Sequence, residues 1–178
     1  MSCFPTPLDS SYQVLAVLGS GSFGQALLAR TRLPENKVCV LKRMVRSKKQ
    51  LQNQRREVAI MKSVSHPFLG THQTGFQNNR AIYLQLDFHS GGSLARLMED
   101  WILLVEADAK FYLTELTEAL LYLHHTGVLH ADLKPDNVML SARGHIKVID
   151  FGLSLDEMKP NSRISGFRGT RDLSLIHI

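Results

Sequence analysis

The sequence predicts an α+β fold made of two segregated lobes. β-Rich runs occupy the first part of the chain, one amphipathic helix interrupts them, and helical periodicity dominates the part that follows. This order differs from the regular strand–helix alternation of a parallel sheet, so we expect an antiparallel sheet followed by a mainly helical lobe. No internal repeat or low-complexity segment appears in the 178 residues.

Strands are predicted in the first lobe where β-branched and aliphatic residues end at turn residues. The predicted strands are 12–18, 26–30, 38–42 and 81–88. Pro34 marks the turn before the third strand, and the first three strands form an antiparallel meander. A helix is predicted over 48–64, because apolar residues recur there on one helical face. These apolar residues are Leu51, Val58, Met61 and Val64.

The second lobe contains the strongest helical pattern of the sequence. Apolar residues recur at helical spacing through 106–125, and Gly127 supplies a stop. The residues that predict this face are Phe111, Tyr112, Leu116, Leu120 and Leu123. Two short runs, 138–140 and 145–149, predict a small hairpin after this helix.

Composition places the chain among ordinary globular proteins. Hydrophobic residues make up 44% and charged residues 21% of the sequence, which argues against disordered and collagenous classes. No apolar run approaches the roughly 20 residues of a membrane helix, and residues 1–10 lack a secretory signal pattern. Cys3 and Cys39 are too few for a disulfide framework, so we expect a reducing compartment, the cytoplasm and also the nucleus.

The net charge of +5 has a local origin. Cations cluster between Lys42 and Arg56, where a solvent-exposed helix face with its leading loop is expected. The members of this cluster are Lys42, Arg43, Arg46, Lys48, Lys49, Arg55 and Arg56. A nucleic-acid-binding patch is the alternative, but no nucleic-acid motif accompanies the charge, so no nucleic-acid partner is expected. The histidines and cysteines lack the spacing of a zinc site.

A glycine-rich turn follows the first predicted strand. It reads Gly19, Ser20, Gly21, Ser22, Phe23 and Gly24, a G-x-G-x-x-G pattern. A dinucleotide-binding site would need a helix directly after the third glycine, and Pro34 leaves no room for one. The pattern therefore favours a hairpin flap whose backbone amides lie over phosphates, because glycine lets the chain approach without a Cβ clash.

Two charged residues follow this flap. Lys42 comes directly after a β-rich run and occupies the lysine position of a V-A-I-K pattern. Glu57 follows on the next predicted helix. Either residue alone would be an ordinary surface residue, but together they are expected to form an ion pair that aims the ammonium group at nucleotide phosphates.

The most specific stretch is the loop between the long helix and the small hairpin. In this loop Asp132 is expected to accept a hydroxyl proton, Lys134 to neutralise a transferring phosphoryl group and Asn137 to offer an amide oxygen to Mg²⁺. Asp150, which begins an Asp-Phe-Gly sequence after the hairpin, adds a carboxylate for the same metal. Phosphoryl transfer needs mainly positioning and charge neutralisation, and these residue types supply both.

These motifs, in this order, resemble those of the eukaryotic protein kinases over residues 12–172. The lysine two residues after Asp132, Lys134, resembles the residue that serine/threonine kinases carry at this position. Further stretches resemble the AGC group of basophilic kinases. They are Lys49-Gln50 before Glu57, His66-Pro67-Phe68-Leu69, Gly91-Gly92-Ser93-Leu94, Ala109-Lys110-Phe111-Tyr112, Gly144-His145-Ile146-Lys147 and Phe151-Gly152-Leu153-Ser154.

The resemblance implies a kinase-like bilobal fold with an ATP site. Residues 1–11 would be an N-terminal tail, 12–88 the N-lobe and 89–172 an incomplete C-lobe. The residues that would sandwich the adenine are Leu18, Ala26, Val40 and Leu140, with Ala26 in place of the usual valine. The hinge that would hydrogen-bond the adenine is Asp87, Phe88 and His89, with Leu86 as the gatekeeper.

The activity that the resemblance implies is transfer of the γ-phosphate of ATP, with Mg²⁺, to serine or threonine hydroxyls of protein substrates. The catalytic residues would be Asp132, Lys134, Lys42 and Glu57, and the metal ligands would be Asn137 and Asp150. The flap would cover the phosphates. A pseudokinase or truncated scaffold that binds ATP without phosphoryl transfer is the alternative. The oligomeric state stays open.

The sequence departs from the kinase pattern at two places that bear on activity and specificity. Ala131 stands where most kinases carry an arginine that pairs with an activation-loop phosphate, and Gly166 stands at the acceptor position. Ala131 and the truncation of the C-lobe motivate the scaffold alternative. Asp136 is kept as an acid that reads substrate arginine, whereas Ser93 replaces another, which weakens the expected preference for basic motifs.

The end of the chain also departs from the kinase pattern, which expects Tyr-x-Ala-Pro-Glu from position 173. Residues 173–178 read Leu-Ser-Leu-Ile-His-Ile instead. The DNA string CTGTCTCTTATACACATC, a transposon end used in sequencing libraries, translates to these residues, so we interpret 173–178 as adapter-derived. We therefore expect a gene that encodes an active kinase, and a fragment that is itself inactive or poorly folded.

Overall fold

The computed structural model describes residues 10–21, 24–32, 34–46, 51–70, 72–78, 80–100 and 105–156. These residues divide into two compact units, one formed by 10–58 and 72–88 and the other by 59–70 and 89–156. The segment 59–70, which the predicted lobes place in the first, belongs to the second unit. Gly166 and residues 173–178, to which sequence predictions refer, lie outside the described residues.

The first unit contains a five-stranded antiparallel sheet. Its strands are β1 (Tyr12–Gly21), β2 (Gly24–Thr31), β3 (Val38–Val45), β4 (His72–Gln77) and β5 (Ala81–Asp87). Their order across the sheet is β1-β2-β3-β5-β4, so the predicted meander is present. The first three strands extend beyond their predicted ends. The sequence did not predict β4, because its glycine and polar residues lack the pattern of a strand.

A hydrophobic cluster of the first unit lies on one face of this sheet. It contains Tyr12, Leu27, Ala29, Cys39 and Leu41, with Phe76 packed against them. Tyr12 stacks on Phe76 with ring centroids 5.3 Å apart, and its hydroxyl donates to Gln85 Oε1 at 2.5 Å. Burial raises the pKa of the Cys39 thiol, which keeps it a neutral core side chain. Because strand side chains alternate, the residues between these core positions face the other side.

Helix α1 (Leu51–Ser63) lies within the predicted range, but its buried side differs from the predicted apolar face. The buried residues are Gln54, Glu57, Ile60 and Met61. Val58 and Val64, which the sequence placed on the apolar face, are only partly buried. Gln54 donates from Nε2 to the carbonyl oxygen of Val45 at 2.9 Å, and Glu57 also has a polar partner. Polar contacts, and not an apolar stripe alone, therefore orient this helix.

The second unit combines helices with a two-stranded sheet. Its elements are α2 (Leu94–Asp100), α3 (Glu106–His125), the 3₁₀ turn Pro135–Asn137, β6 (Val138–Leu140) and β7 (Ile146–Val148). Leu69 forms a parallel bridge with Val148, which adds the segment around it to this hairpin. The bounds of α3 and β6 are those predicted, β7 is one residue shorter at each end, and α2 is too short to show a period. Among the helices that the structure describes, none has the length and apolar character that a bilayer crossing requires.

Helix α3 buries a ridge that shares only Leu123 with the face that the sequence predicted. The buried residues are Glu115, Ala119 and Leu123, spaced four residues apart. Phe111 remains 45% exposed, and Leu116 and Leu120 are only partly buried. The prediction was wrong at the other positions because it counted only apolar side chains, whereas a glutamate with hydrogen-bond donors in the interior occupies the first position of the ridge.

Gly24 is required by close packing, and this requirement is testable. Its φ is +127°, and a Cβ there would lie 2.0 Å from the carbonyl oxygen of Arg43, a backbone atom. We expect Gly24→Ala to lower the free energy of unfolding by about 2–4 kcal/mol, measured by urea denaturation of the whole chain. Gly144→Ala is the matched control, because Gly144 also has a left-handed φ, +83°, but a Cβ there would meet no other atom of the described residues within 4 Å. Equal losses in the two variants would contradict the packing explanation.

Candidate active site

Lys42 lies in β3 on the sheet face opposite the hydrophobic cluster that contains Cys39 and Leu41. It pairs across the sheet with Ala26 of β2 and Leu84 of β5. Its Nζ lies 2.5 Å from Glu57 Oε1, and the two side chains are only 14% and 5% exposed. Breaking such a buried pair by removing one partner costs about 3–5 kcal/mol, because it leaves a buried charge uncompensated. The predicted ion pair is present, and it fixes the position of the ammonium group.

The glycine-rich stretch forms the end of the β1–β2 hairpin. The two strands remain paired up to Gly21 and Gly24, so the stretch is a hairpin and not a strand-to-helix turn. Ser22 and Phe23, between these glycines, lie outside the described residues. A Cβ on Gly19 or Gly21 would meet no other atom of the described chain within 4 Å. Packing therefore does not require these two glycines, and close approach of a ligand to the backbone is a reason for them.

The four residues predicted to sandwich adenine are divided between the two units. Ala26 and Val40 share the sheet face of Lys42, because Ala26 pairs with Lys42 and Val40 precedes it by two residues. Leu18 lies near the end of β1 and is 51% exposed. Leu140 is buried in β6 of the second unit, where its amide donates to the carbonyl oxygen of Gly92 at 2.8 Å.

The predicted hinge begins at the last residue of β5. Asp87 Oδ1 accepts a hydrogen bond from Lys37 Nζ at 3.2 Å, in a solvent-exposed pair that contributes little stability. Phe88 follows and is exposed, and His89 is the first residue of this stretch in the second unit. Leu86, the predicted gatekeeper, pairs with Val40 and shares its face of the sheet.

Asp132 and Asn137 are held together in the loop that follows α3. Asn137 Nδ2 donates to the backbone oxygen of Asp132 at 2.8 Å and to its Oδ2 at 3.2 Å. Lys134 Nζ lies 3.2 Å from the same Oδ2. Asp132 and Asn137 are only 8% and 6% exposed. One carboxylate oxygen is thus held by an amide and an ammonium donor, which orients the carboxylate before any substrate arrives.

Two residues of this region have left-handed backbone conformations although they are not glycine. Ala131 has a φ of +62° and Asp150 a φ of +66°. Each costs roughly 1–2 kcal/mol in an L-residue, so neighbouring contacts must hold them in place. Ser154 Oγ donates to the carbonyl oxygen of His130 at 2.9 Å, directly before Ala131. The amide of Ile149 donates to the carbonyl oxygen of Asn137 at 2.9 Å, directly before Asp150.

His130 ties the two strained positions together, and the sequence analysis did not identify this role. Its Nδ1 accepts a hydrogen bond from the amide of Asp132 at 3.4 Å, and its Nε2 lies 3.0 Å from the carbonyl oxygen of Ile149. These partners favour the neutral ring with the proton on Nε2. Burial lowers the pKa of His130, although its hydrogen bond to Ile149 and the nearby charges of Asp150 and Asp132 oppose this shift.

Asn137 and Asp150 supply oxygen atoms that suit a hard divalent cation. Within the described chain both side-chain hydrogen bonds of Asn137 use Nδ2, which leaves Oδ1 as the oxygen available to a cation. Asp150 Oδ1 accepts from the amide of Gly152 at 3.3 Å. Over the described ranges no three His, Cys, Asp or Glu side chains are grouped as metal ligands. One carboxylate with one amide fits a cation that takes its other ligands from phosphate and water.

Glu115 and His145 position the strand that leads to Asp150, and the sequence analysis missed both. Glu115 Oε2 accepts from the amide of Ile146 at 2.9 Å, and its Oε1 lies 2.5 Å from His145 Nδ1. These contacts anchor the start of β7 on α3. A signal was available, because Glu115 lies four residues before Ala119 on a helical ridge of small and apolar residues. A buried carboxylate in such a place needs donors from another element.

The lowered pKa of His130 makes the stability of the chain depend on pH. The unfolded state, with the ordinary histidine pKa of about 6.5, binds more protons than the folded state. The stability that His130 contributes is therefore present above about pH 6.5 and is lost as the pH falls through the folded pKa. We expect a lower urea midpoint at about pH 5.5 than at about pH 7.5, and a weaker difference in His130→Gln. His124→Gln, at an exposed position on α3, is the control. An unchanged pH dependence in His130→Gln would contradict the assignment.

The chain matches the family model described as protein kinase domain over residues 12–173. It is 37% identical to the serine/threonine-protein kinase Sgk1 of Danio rerio over 93% of this chain and 39% of that protein. It is 39% identical to the putative ribosomal protein S6 kinase alpha-1 of Caenorhabditis elegans over 89% of this chain and 21% of that protein. It is 37% identical to the human ribosomal protein S6 kinase alpha-2 over 90% of this chain and 23% of that protein.

The chain spans about two fifths or less of the length of these curated relatives. The predicted kinase fold class and the resemblance to the AGC group are confirmed. Proteins of this family use ATP with a divalent metal. The chain belongs to the protein kinase domain family, within the AGC group of serine/threonine kinases.

Proposed function

We propose that the protein transfers the γ-phosphoryl group of ATP to serine or threonine hydroxyls of protein substrates. The observation that carries this proposal is the buried carboxylate of Asp132, oriented by Lys134 and Asn137. A structural loop would not need to bury a carboxylate beside an ammonium group and an amide, since burial of a charge is unfavourable by itself. A site that accepts a proton and neutralises a phosphoryl group needs this arrangement.

Asp132 orients the hydroxyl of the substrate and accepts its proton. Because its Oδ2 is already held by two donors, little orientational freedom is lost when the hydroxyl binds. Lys134 places a positive charge 3.2 Å from that carboxylate, where the phosphoryl group would carry negative charge during transfer. Lys134 is also the residue that favours serine and threonine over tyrosine as the acceptor, by resemblance to that class.

Lys42 binds the α- and β-phosphates of ATP in this proposal. Glu57 holds its ammonium group from the opposite side, so the side chain cannot turn away from the nucleotide. The backbone amides of the glycine hairpin cover the phosphates. The adenine contacts remain as predicted from the resemblance. They are Leu18, Ala26, Val40 and Leu140, with Asp87 and His89 as hinge residues.

Asn137 and Asp150 are the proposed ligands of Mg²⁺. The metal, when bound, neutralises charge on the phosphate oxygens. The hydrogen bond from the amide of Ile149 to the carbonyl oxygen of Asn137 holds the segments that carry the two ligands next to each other. His130 also connects these segments, because its ring hydrogen-bonds the backbone at Asp132 in one and at Ile149 in the other.

Protein substrates with basic motifs are the proposed partners. Asp136 is exposed on the 3₁₀ turn, where its carboxylate is accessible to a substrate arginine. Ser93, the residue in place of a second acid, instead accepts a hydrogen bond from the amide of Arg96 at 3.2 Å. The scaffold alternative is not favoured, since the named relatives are kinases. Localisation in the cytoplasm and nucleus stays a prediction.

The proposed role of Asp132 predicts a selective loss of phosphoryl transfer. Asp132→Asn keeps the size of the side chain and an oxygen for its neighbours but cannot accept a proton. In the protein translated from its natural transcript, we expect transfer from radiolabelled ATP to an arginine-containing serine peptide to fall about 10²–10⁴-fold. Binding of a fluorescent ATP analogue is expected to change little.

Asp108→Asn is the matched control, because Asp108 lies in the first turn of α3 away from the loop. It should retain wild-type transfer. A peptide with tyrosine in place of serine should accept no phosphate. Nucleotide binding by the wild-type protein with no transfer to any peptide would contradict the proposal and favour the scaffold alternative.

A further inference from the structure

Three polar side chains form a hydrogen-bonded row across strands β1, β2 and β3 at the glycine hairpin. Ser20 of β1 pairs with Gln25 of β2, and Gln25 pairs with Arg43 of β3. Gln25 Nε2 donates to Ser20 Oγ at 3.3 Å, and Arg43 Nη1 donates to Gln25 Oε1 at 3.0 Å. The three residues belong to three different strands and are in direct cross-strand register, in which paired side chains interact.

The donors and acceptors of the three groups determine which end of the Gln25 amide faces each neighbour. A guanidinium group only donates hydrogen bonds, so the oxygen of the Gln25 amide must face Arg43. The amide nitrogen then faces Ser20, whose hydroxyl oxygen can accept. Gln25 is therefore the central member, because its amide uses an acceptor toward one strand and a donor toward the other.

Backbone packing supports the same connection. The carbonyl oxygen of Arg43 lies so close to Gly24 that a Cβ there would be 2.0 Å away. The second strand of the hairpin is thus held on β3 twice, through the backbone at Gly24 and through the side chain at Gln25. On the first strand, no other atom of the described residues lies within 4 Å of where a Cβ on Gly19 or Gly21 would be. The hydrogen bond to Ser20 therefore adds a side-chain contact to a part of this strand whose two glycines have none.

The row lies on the sheet face opposite Lys42. Arg43 follows Lys42 directly in β3, and neighbouring side chains of a strand point to opposite faces. Ala26, which pairs with Lys42, likewise follows Gln25. The row therefore does not occupy the face that carries Lys42. From the opposite face of the sheet, the row connects the hairpin to β3, the strand that carries this lysine.

We propose that Gln25 is a positioning residue that keeps the glycine hairpin in register with Lys42 for binding the phosphates of ATP, through its hydrogen bonds to Ser20 and Arg43. This inference rests on the proposed kinase function. It assigns Arg43, one of the clustered cations in the sequence, to an internal role instead of an exposed anion-binding patch. Its effect is on nucleotide binding and not on the proton transfer at Asp132.

The test compares Gln25→Leu with Gln25→Glu in the protein translated from its natural transcript. Leucine breaks both hydrogen bonds. Glutamate accepts from Arg43 and also from the hydroxyl of Ser20, so it preserves the row. We expect Gln25→Leu to raise the KM for ATP about three- to tenfold, with kcat and the KM for peptide changed less than about twofold, and Gln25→Glu to restore the wild-type KM.

Gln77→Leu is the matched control. It makes the same chemical change at an exposed position of β4, in the same sheet. It should leave the KM for ATP at the wild-type value. A Gln25→Leu variant with a wild-type KM, or a Gln25→Glu variant as impaired as Gln25→Leu, would overturn the proposal.

Amide hydrogen exchange provides a readout that does not depend on activity. In the nucleotide-free protein, peptides that cover β1 and β2 should exchange faster in Gln25→Leu than in the wild type or in Gln77→Leu. If the wild type transfers no phosphate but this difference in exchange is present, the proposed function fails and the positioning role stands. If exchange is unchanged by Gln25→Leu, the positioning role is overturned, whatever the activity.

Discussion

The buried ion pair between Lys42 and Glu57 is the constraint on which the first unit depends. A lysine in the interior of a five-stranded sheet is unfavourable unless a carboxylate meets its ammonium group. That carboxylate comes from α1, so the pair decides which side of the helix is buried. It explains why Gln54 and Glu57, and not only apolar residues, lie on the buried side. Leu84 and Met44 are buried on the same sheet face as Lys42, and another apolar cluster lies on the opposite face, so apolar packing surrounds the pair on both sides of the sheet.

In the second unit, buried polar groups with hydrogen-bond partners determine the conformation of the loop that carries Asp132. Asn137, His130 and Glu115 are all buried, and each bonds a backbone group in another part of the loop or hairpin. Unpaired, each would cost about 1–3 kcal/mol, so the loop conformation that satisfies all of them is strongly preferred. This preference holds Ala131 and Asp150 in left-handed conformations. Asp132 and Asp150 are therefore positioned in part by His130 and Glu115, which have no proposed contact with nucleotide or peptide.

The sequence predicts those features that local patterns encode. Helix α3 and strand β6 were found with their observed bounds, because periodicity and stop signals lie within the elements themselves. Lys42 and Asp132 are predicted as site residues because their motifs are contiguous or regularly spaced. The contact between Glu115 and His145 and the row through Gln25 join residues that are distant in sequence. Such contacts depend on strand register and on the rotation of helices about their axes, and local sequence patterns do not specify either.

A double-mutant cycle on Lys42 and Glu57 tests the central claim most directly. Nucleotide affinity would be measured by calorimetry in the wild type, Lys42→Met, Glu57→Gln and the double variant. If Glu57 acts by holding Lys42, Glu57→Gln should weaken binding in the wild-type background and have no further effect beside Lys42→Met. The coupling expected for groups in direct contact is about 1–3 kcal/mol. An equal loss in both backgrounds would show that Glu57 acts independently of Lys42 and would contradict the account.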